Sequence, residues 1–232
     1  MTVDPGKRPA RTERLSDEVW RELCGLGVER HFRAGSTLLR QGEAGTYLLA
    51  LTQGLVKVIR REENGETTLL AFRGPGDLLG EVAVFDLQKR IADVVALRPC
   101  RAVRLEAETF RTYVERRGMV MALMRQTLAR LRESDMRLAE LQRLPVLTRL
   151  ARTLVRLADL TGPVPPGTAE WGLTGLTQEE IAQAIGVTRN AVVTGLQELR
   201  QTGAVETGRR VIEIRDMEAL RVWAKTEHVE GM

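Results

Sequence analysis

The sequence predicts an α+β chain: a compact antiparallel β structure, one long helix, and a smaller helical unit with a β wing. Three observations carry this. Glycines recur at positions 35, 42, 45, 54, 65, 74, 76 and 80, with short apolar or alternating runs between them. That is the texture of many short strands. From about Glu108 the apolar residues fall at steps of three and four, the period of a helix. Residues 177–200 then place two short amphipathic stretches around Gly186, the outline of a helix-turn-helix.

The elements follow in order. Residues 1–15 form a polar stretch, MTVDPGKRPARTERL, and are expected to be a flexible arm. Ser16 caps a short helix over SDEVWRELCGL. Residues 16–115 hold the β domain. Its strands are expected in TYLLAL, GLVKVI, TTLLAF, VVAL and RAVRLE, with Asn64-Gly65 of ENGE closing a hairpin. Residues 116–144 are the core of a helix expected to run about ten turns from Glu108. Met121, Met124, Leu128, Leu131, Asp135, Leu138 and Gln142 fall at the positions of a heptad seam. A stripe this long has to be covered, and a second copy of the same helix is the natural cover. A parallel homodimer through 119–143 is therefore expected. Pro145 follows Arg143-Leu144 and marks a domain boundary and hinge, because proline disfavours helical geometry in the residue before it. Residues 145–232 begin with the helix PVLTRLARTLVRLADL. The loop TGPVPPGTAEWG follows, then the two short helices, two strands about Gly208 and a last helix after Asp216.

Bulk properties bound the function classes. The chain has 232 residues, 43% of them hydrophobic, enough for two ordinary domains with real cores. Net charge is only +4, but 31 of the 35 basic residues are Arg. Arginine offers a planar fork suited to phosphate and carboxylate. No apolar run approaches the roughly 18 residues of a membrane helix, and a soluble cytoplasmic protein with no membrane contact is expected. Cys24 and Cys100 fit no metal or redox spacing. No Ser/His/Asp set, phosphate loop or metal cluster is seen, so the chain is not expected to be an enzyme.

Residues 177–200 carry the sharpest functional signal. Thr177 and Glu180 read as a capping box ahead of Ile181. Ile181, Ala184 and Ile185 make one inward face, and Val192, Leu196 and Leu199 the other. Thr188 caps the second helix, which puts Arg189, Asn190 and then Thr194 where a recognition helix meets the major groove. Arg suits guanine, and Asn suits adenine. Thr177 and Gln178, at a helix start, can hold backbone phosphates. Arg209 and Arg210 sit at the wing tip. Residues 145–232 hold ten basic and eleven acidic side chains, so DNA affinity has to come from local arginine clusters.

A second stretch, GDLLGEVAVFDLQKRIAD (76–93), sets Glu81 and Arg90 around an apolar run. It fits a small anionic ligand carrying hydroxyl groups, or a surface turn with two charges.

Three stretches resemble the cyclic-AMP receptor/Fnr (Crp–Fnr) family of bacterial transcription regulators over about residues 16–225. STLLRQGEAGTYLLALTQGLVKVI resembles its β-roll signature. GDLLGEVAVFDLQKRIA resembles its phosphate-binding cassette, and TQEEIAQAIGVTRNAVVTGLQEL its DNA-reading unit. The resemblance implies a jelly-roll β-roll of the cyclic-nucleotide-binding type, a long dimerisation helix and a C-terminal winged helix-turn-helix. It implies a cyclic nucleotide, cyclic AMP first, held through Gly80, Glu81, Val82, Arg90 and Ile91, with Ser134 and Asp135 on the long helix near its base. Arg90 would clamp the phosphate and Glu81 accept from the ribose hydroxyl. Three departures stand out. Ile91 replaces the Ser or Thr that follows the cassette Arg in cyclic-AMP binders, the Glu81–Arg90 stretch is one residue short, and Asp135 replaces a second hydroxyl. The iron–sulfur branch would need more N-terminal cysteines, and a haem would need His31 or His228; no metal, haem or cluster is expected. The partners implied are a palindromic DNA duplex and, through the loop 162–170, RNA polymerase. An effector-independent regulator and an enzyme gated by a nucleotide module are the competing readings.

Overall fold

The computed structural model describes residues 15–162, 171–208 and 211–225. The expected arm (all but Leu15), most of the loop 162–170, and Arg209 and Arg210, which the sequence reading put at a wing tip, lie outside the described residues. The chain forms two compact units, divided between Glu133 and Ser134. Among the described residues no helix is long and apolar enough to cross a membrane.

The first unit begins with α1 (Asp17–Gly25), capped by the Ser16 hydroxyl, which accepts from the Val19 N–H. Eight strands follow: β1 (Val28–Phe32), β2 (Thr37–Leu39), β3 (Tyr47–Gln53), β4 (Val56–Arg61), β5 (Thr67–Arg73), β6 (Leu78–Leu79), β7 (Asp93–Ala96) and β8 (Cys100–Glu106). They build two four-stranded antiparallel sheets, ordered β1-β8-β3-β6 and β2-β7-β4-β5. The β4–β5 hairpin closes over residues 62–66, with Asn64 Oδ1 accepting from the Glu66 N–H at 3.0 Å.

Strand β3 shows why its run Leu48–Leu51 is apolar without a break. Leu48 and Ala50 face a core shared with Leu23, Phe110 and Val114, whereas Leu49 and Leu51 face a second core with Val56, Val94 and Ala102. Side chains alternate across a strand, and both faces of β3 are covered. Strand β8 does the same, with Val103 and Leu105 on one side and Cys100 and Ala102 on the other.

The expected uninterrupted helix is two helices, α3 (Ala107–Arg116) and α4 (Val120–Arg143). The break is a glycine-capped helix end. Gly118 sits at φ +60°, its N–H donates to Glu115 O at 3.1 Å, and the Met119 N–H reaches back to Val114 O at 2.9 Å. That bonding satisfies carbonyls the helix end would orphan. It also turns Met119 into the core. The apolar spacing stays helical across the break, which hid it.

Glu22 of α1 lies between Arg117, whose Nε donates to it at 2.9 Å, and the Tyr113 hydroxyl, at 2.8 Å. The Arg117 contact above all holds the Glu22 carboxyl down at about 2. A depressed folded-state pKa gives stability that is full above the unfolded value near 4.5 and lost as pH falls toward the folded one. Acid melting of wild-type and Glu22→Gln proteins should therefore converge between about pH 4.5 and 2. Because the groups face solvent, added salt should shrink the difference.

The second unit takes the C-terminal part of α4. It continues with α5 (Val146–Thr161), β9 (Trp171–Thr174), α6 (Gln178–Ile185), α7 (Arg189–Gln201), β10 (Val205–Gly208), β11 (Val211–Ile214) and α8 (Met217–Lys225). Pro145 does separate two helices, but side chains span it. Glu140 of α4 pairs with Arg152, at 3.2 Å, and with Arg156 of α5. The wing has three strands, ordered β10-β11-β9. Strand β9 corrects the reading of 161–172 as loop throughout. Four residues are too short to display a period, and only the burial of Leu173 opposite Ile212 marks the pairing.

Candidate functional site

The cassette is built at the end of β6. Gly80 takes φ +81°, and α2 (Glu81–Phe85) begins directly after it. The turn then runs to Arg90, whose backbone is fastened on both sides: its N–H donates to Glu43 O at 2.9 Å and its carbonyl accepts from Gly42 at 2.8 Å. The Arg90 side chain is 4% exposed. Its Nη2 donates to Tyr47 O at 2.6 Å, its Nη1 to Gly80 O at 3.4 Å, and the guanidinium lies 4.9 Å from the Tyr47 ring centre. Its Nε is buried with no hydrogen-bond partner. Among the described residues no carboxylate pairs with it. Burial pulls its pKa down, and the opposing pull of Tyr47, Glu43 and Glu81 does not cancel it.

Gly80 is what admits that side chain. A Cβ there would stand 2.2 Å from Arg90 Nη1 and 2.8 Å from Leu39 Cδ1. The cassette therefore encloses a cation, leaves one of its donors unused and keeps backbone close to it. A phosphate monoanion with hydroxyl neighbours fits this donor set, because a buried unpaired charge is costly unless something compensates it.

Glu81, 6% exposed, does not pair with Arg90. It binds Arg130 of α4, whose Nη2 also donates to Leu78 O at 2.9 Å and lies 3.8 Å from Asp77. Sequence reading missed Arg130. The signal was a second stripe on α4: Leu123, Gln126 and Ala129 are buried in line with Met119 just before the helix, and Arg130 adjoins them. A carboxylate has about four acceptor positions, so one arginine leaves Glu81 room for a hydroxyl. Val82 and Ile91 are exposed, Ile91 at 67%. Ser134 and Asp135 are exposed positions of α4. His31, on β1, lies 2.7 Å from Glu29 Oε1. Among the described residues no three His, Cys, Asp or Glu side chains gather as a metal site.

The reading unit has both helix starts capped. Thr177 Oγ1 accepts from the Glu180 N–H at 3.2 Å, and the Glu180 carboxylate accepts from the Thr177 N–H at 2.7 Å. The Thr177 hydroxyl donates to that same carboxylate at 3.0 Å, so its one proton is committed inside the cap. Gly186 closes α6 at φ +64°, and Thr188 Oγ1 accepts from the Ala191 N–H at 3.3 Å to start α7. Ile181, Ile185, Val192, Leu196 and Leu199 are buried as expected, and Ala182 joins them while Ala184 is only half-buried. Thr188 at the cap and Arg189, Asn190 and Thr194 on the first turns of α7 are all exposed. The Thr194 hydroxyl donates to Asn190 O at 3.2 Å, and Arg189 Nε donates to Gln178 Oε1 at 3.2 Å. Behind them Arg149 of α5 donates from Nη1 to Ile185 O at 2.6 Å, fixing the end of α6.

Comparison with known proteins bears on both sites. Residues 29–117 match the cyclic nucleotide-binding domain family, and residues 148–223 match the Crp-like helix-turn-helix domain. The chain is 33% identical over 190 residues to the CRP-like cAMP-activated global transcriptional regulator of Mycobacterium tuberculosis, covering 82% of this chain and 84% of that one. It is 29% identical over 189 residues to the cyclic AMP receptor protein of Thermus thermophilus, covering 81% and 83%. A crystal structure of a CRP-family transcriptional regulator from Thermus thermophilus superposes with a TM-score of 0.68 at 26% identity, over 85% of this chain and 97% of that one.

Proposed function

The chain belongs to the Crp–Fnr family of transcription regulators, with a cyclic nucleotide-binding domain and a Crp-like helix-turn-helix, and on that premise we propose that it is a homodimeric, cyclic-AMP-controlled activator. Like its relatives it is a regulator and not an enzyme. The observation that carries the effector reading is the buried Arg90, with an idle Nε beside Gly80. Arg90 would hold the phosphate, Glu81 a ribose hydroxyl, and Gly80, Val82 and Ile91 would border the ligand. Ser134 and Asp135 of α4 would meet its base. Bound nucleotide would supply one negative charge and hydroxyl groups. The residues themselves orient it and keep water from the guanidinium. The effector acts by binding the DNA-competent state more tightly than the other.

At the DNA, Arg189 and Asn190 read base edges, with Thr194 one turn on. Gln178 and Thr188 contact backbone, Thr177 fixes the α6 start, and Arg209 and Arg210 reach phosphate or minor groove. The two heads of a dimer fit a palindrome with half-sites about one duplex turn apart. Loop 162–170 touches RNA polymerase, and the protein works in the cytoplasm. A mobility-shift assay on such a palindrome is expected to show a specific band that strengthens with cyclic AMP. Absence of a specific band in both conditions would refute the reading. Ile91 and Asp135, which put an apolar and an acidic side chain where hydroxyls serve a cyclic nucleotide, favour a second reading, an effector-independent regulator. Tight DNA binding with no calorimetric heat from the nucleotide would select it.

Arg189→Ala is expected to lose roughly 1–3 kcal/mol at one base-pair position and relax preference there alone. Competition with singly substituted sites measures this.

A further inference from the structure

We propose that Gln178 is a positioning residue for Arg189: it holds the guanidinium by Nε so that its two terminal nitrogens face a guanine. The proposal rests on the DNA-reading assignment of α7 and gives Gln178 a task beyond the phosphate contact read from sequence.

The geometry is specific. Gln178 is the first residue of α6 and Arg189 the first of α7, eleven positions apart. Each follows a threonine cap whose side-chain bonds fix the local backbone. The partners therefore stand on two rigid frames. The bond joins Arg189 Nε to Gln178 Oε1 at 3.2 Å. Among the described residues Arg189 makes no other hydrogen bond or ion pair. With Nε occupied, Nη1 and Nη2 remain as a parallel pair of donors, and guanine offers O6 and N7 as a parallel pair of acceptors.

The chemistry of the partner matters too. An acid at this position would hold the guanidinium more firmly, but it would neutralise it and repel the duplex phosphates. A neutral amide orients the arginine and leaves its charge intact. The amide NH2 of Gln178 stays free to donate to a phosphate, so one side chain can link backbone register to base reading. An arginine ordered before DNA arrives also loses less rotamer freedom on binding.

Fluorescence anisotropy on the preferred palindrome, and on single-base variants of it, tests this. Gln178→Met keeps length but removes the acceptor. It is expected to lower discrimination about threefold to tenfold at the base pair that Arg189→Ala identifies, and nowhere else. Gln178→Glu keeps the acceptor; it should preserve discrimination while weakening binding to all sites alike. The double variant, Arg189→Ala with Gln178→Met, should discriminate no worse than Arg189→Ala alone. Uniform weakening by Gln178→Met with discrimination intact would make Gln178 a phosphate contact only and overturn the proposal. Unchanged binding by that variant overturns it as well. A flat base profile for Arg189→Ala itself would instead remove the reading assignment beneath it, and only that failure shows in the single arginine variant.

Discussion

An Arg90→Ala protein is expected to bind cyclic AMP about 30-fold to 5,000-fold more weakly than wild type, since truncating one partner of a buried, hydrogen-bonded charge pair costs roughly 2–5 kcal/mol. Calorimetry reads the affinity, and the melting curve supplies an independent check. Nucleotide that binds only the folded state raises the melting temperature of wild-type protein with concentration. That increment should vanish in Arg90→Ala, whatever the substitution does to the ligand-free protein. The ligand-free change itself is a small difference of opposing terms. The variant gives up bonds to Tyr47 O and Gly80 O, but it also removes a buried cation with an idle Nε. An equal ligand-dependent rise in both proteins would show that the nucleotide is held without Arg90. The cassette would then be a turn with a trapped arginine.

The cassette was legible in the sequence as a spacing of charges, and its partners were not. Gly80, Glu81 and Arg90 stand close together along the chain, so a local motif can display them. Tyr47 and Arg130 reach the same place from forty or more positions away. Nothing in a single chain's local pattern ties Arg130 to Glu81. The helix period of α4 could at most say that Arg130 lies beside the buried stripe. Strands were readable where both faces are covered, as in β3, whose Tyr47–Leu51 is an unbroken apolar run. They were unreadable where exposure breaks the pattern. Strand β1, Val28–Phe32, has four exposed residues and one half-buried one; it pairs with β8 and only Phe32 packs against a core. The helix-turn-helix was the most legible part, because caps, glycine turn and inward faces are all local. Even there the capping box was legible, but not the further bond by which the Thr177 hydroxyl donates its proton to Glu180.

Leu131→Glu is expected to convert the protein to protomers and to weaken specific DNA binding by roughly 10²–10⁴, the factor that a second linked head contributes. The reasoning starts from α4 alone. At 100° per residue, Met121, Met124, Leu128 and Leu131 share one side of the helix. Met119, Leu123, Gln126 and Arg130 share roughly the opposite side. The second set is buried or bonded within its own unit; the first is exposed, Leu131 at 57%. A glutamate at Leu131 therefore disturbs no packing inside one chain, and an exposed surface change of that kind costs within about 0.5 kcal/mol. Folding and melting of a protomer should stay as they were. In a parallel two-helix seam the same substitution places two carboxylates against each other in a dehydrated core, once from each chain. Burying a charge without a partner is far more costly than any single apolar contact there provides. Sedimentation of wild-type and Leu131→Glu proteins at micromolar concentration separates the two cases. If both sediment as protomers, with the palindrome present as well as absent, the stripe on α4 serves something other than a second copy. Paired reading of a two-fold site would then have no physical basis in this chain.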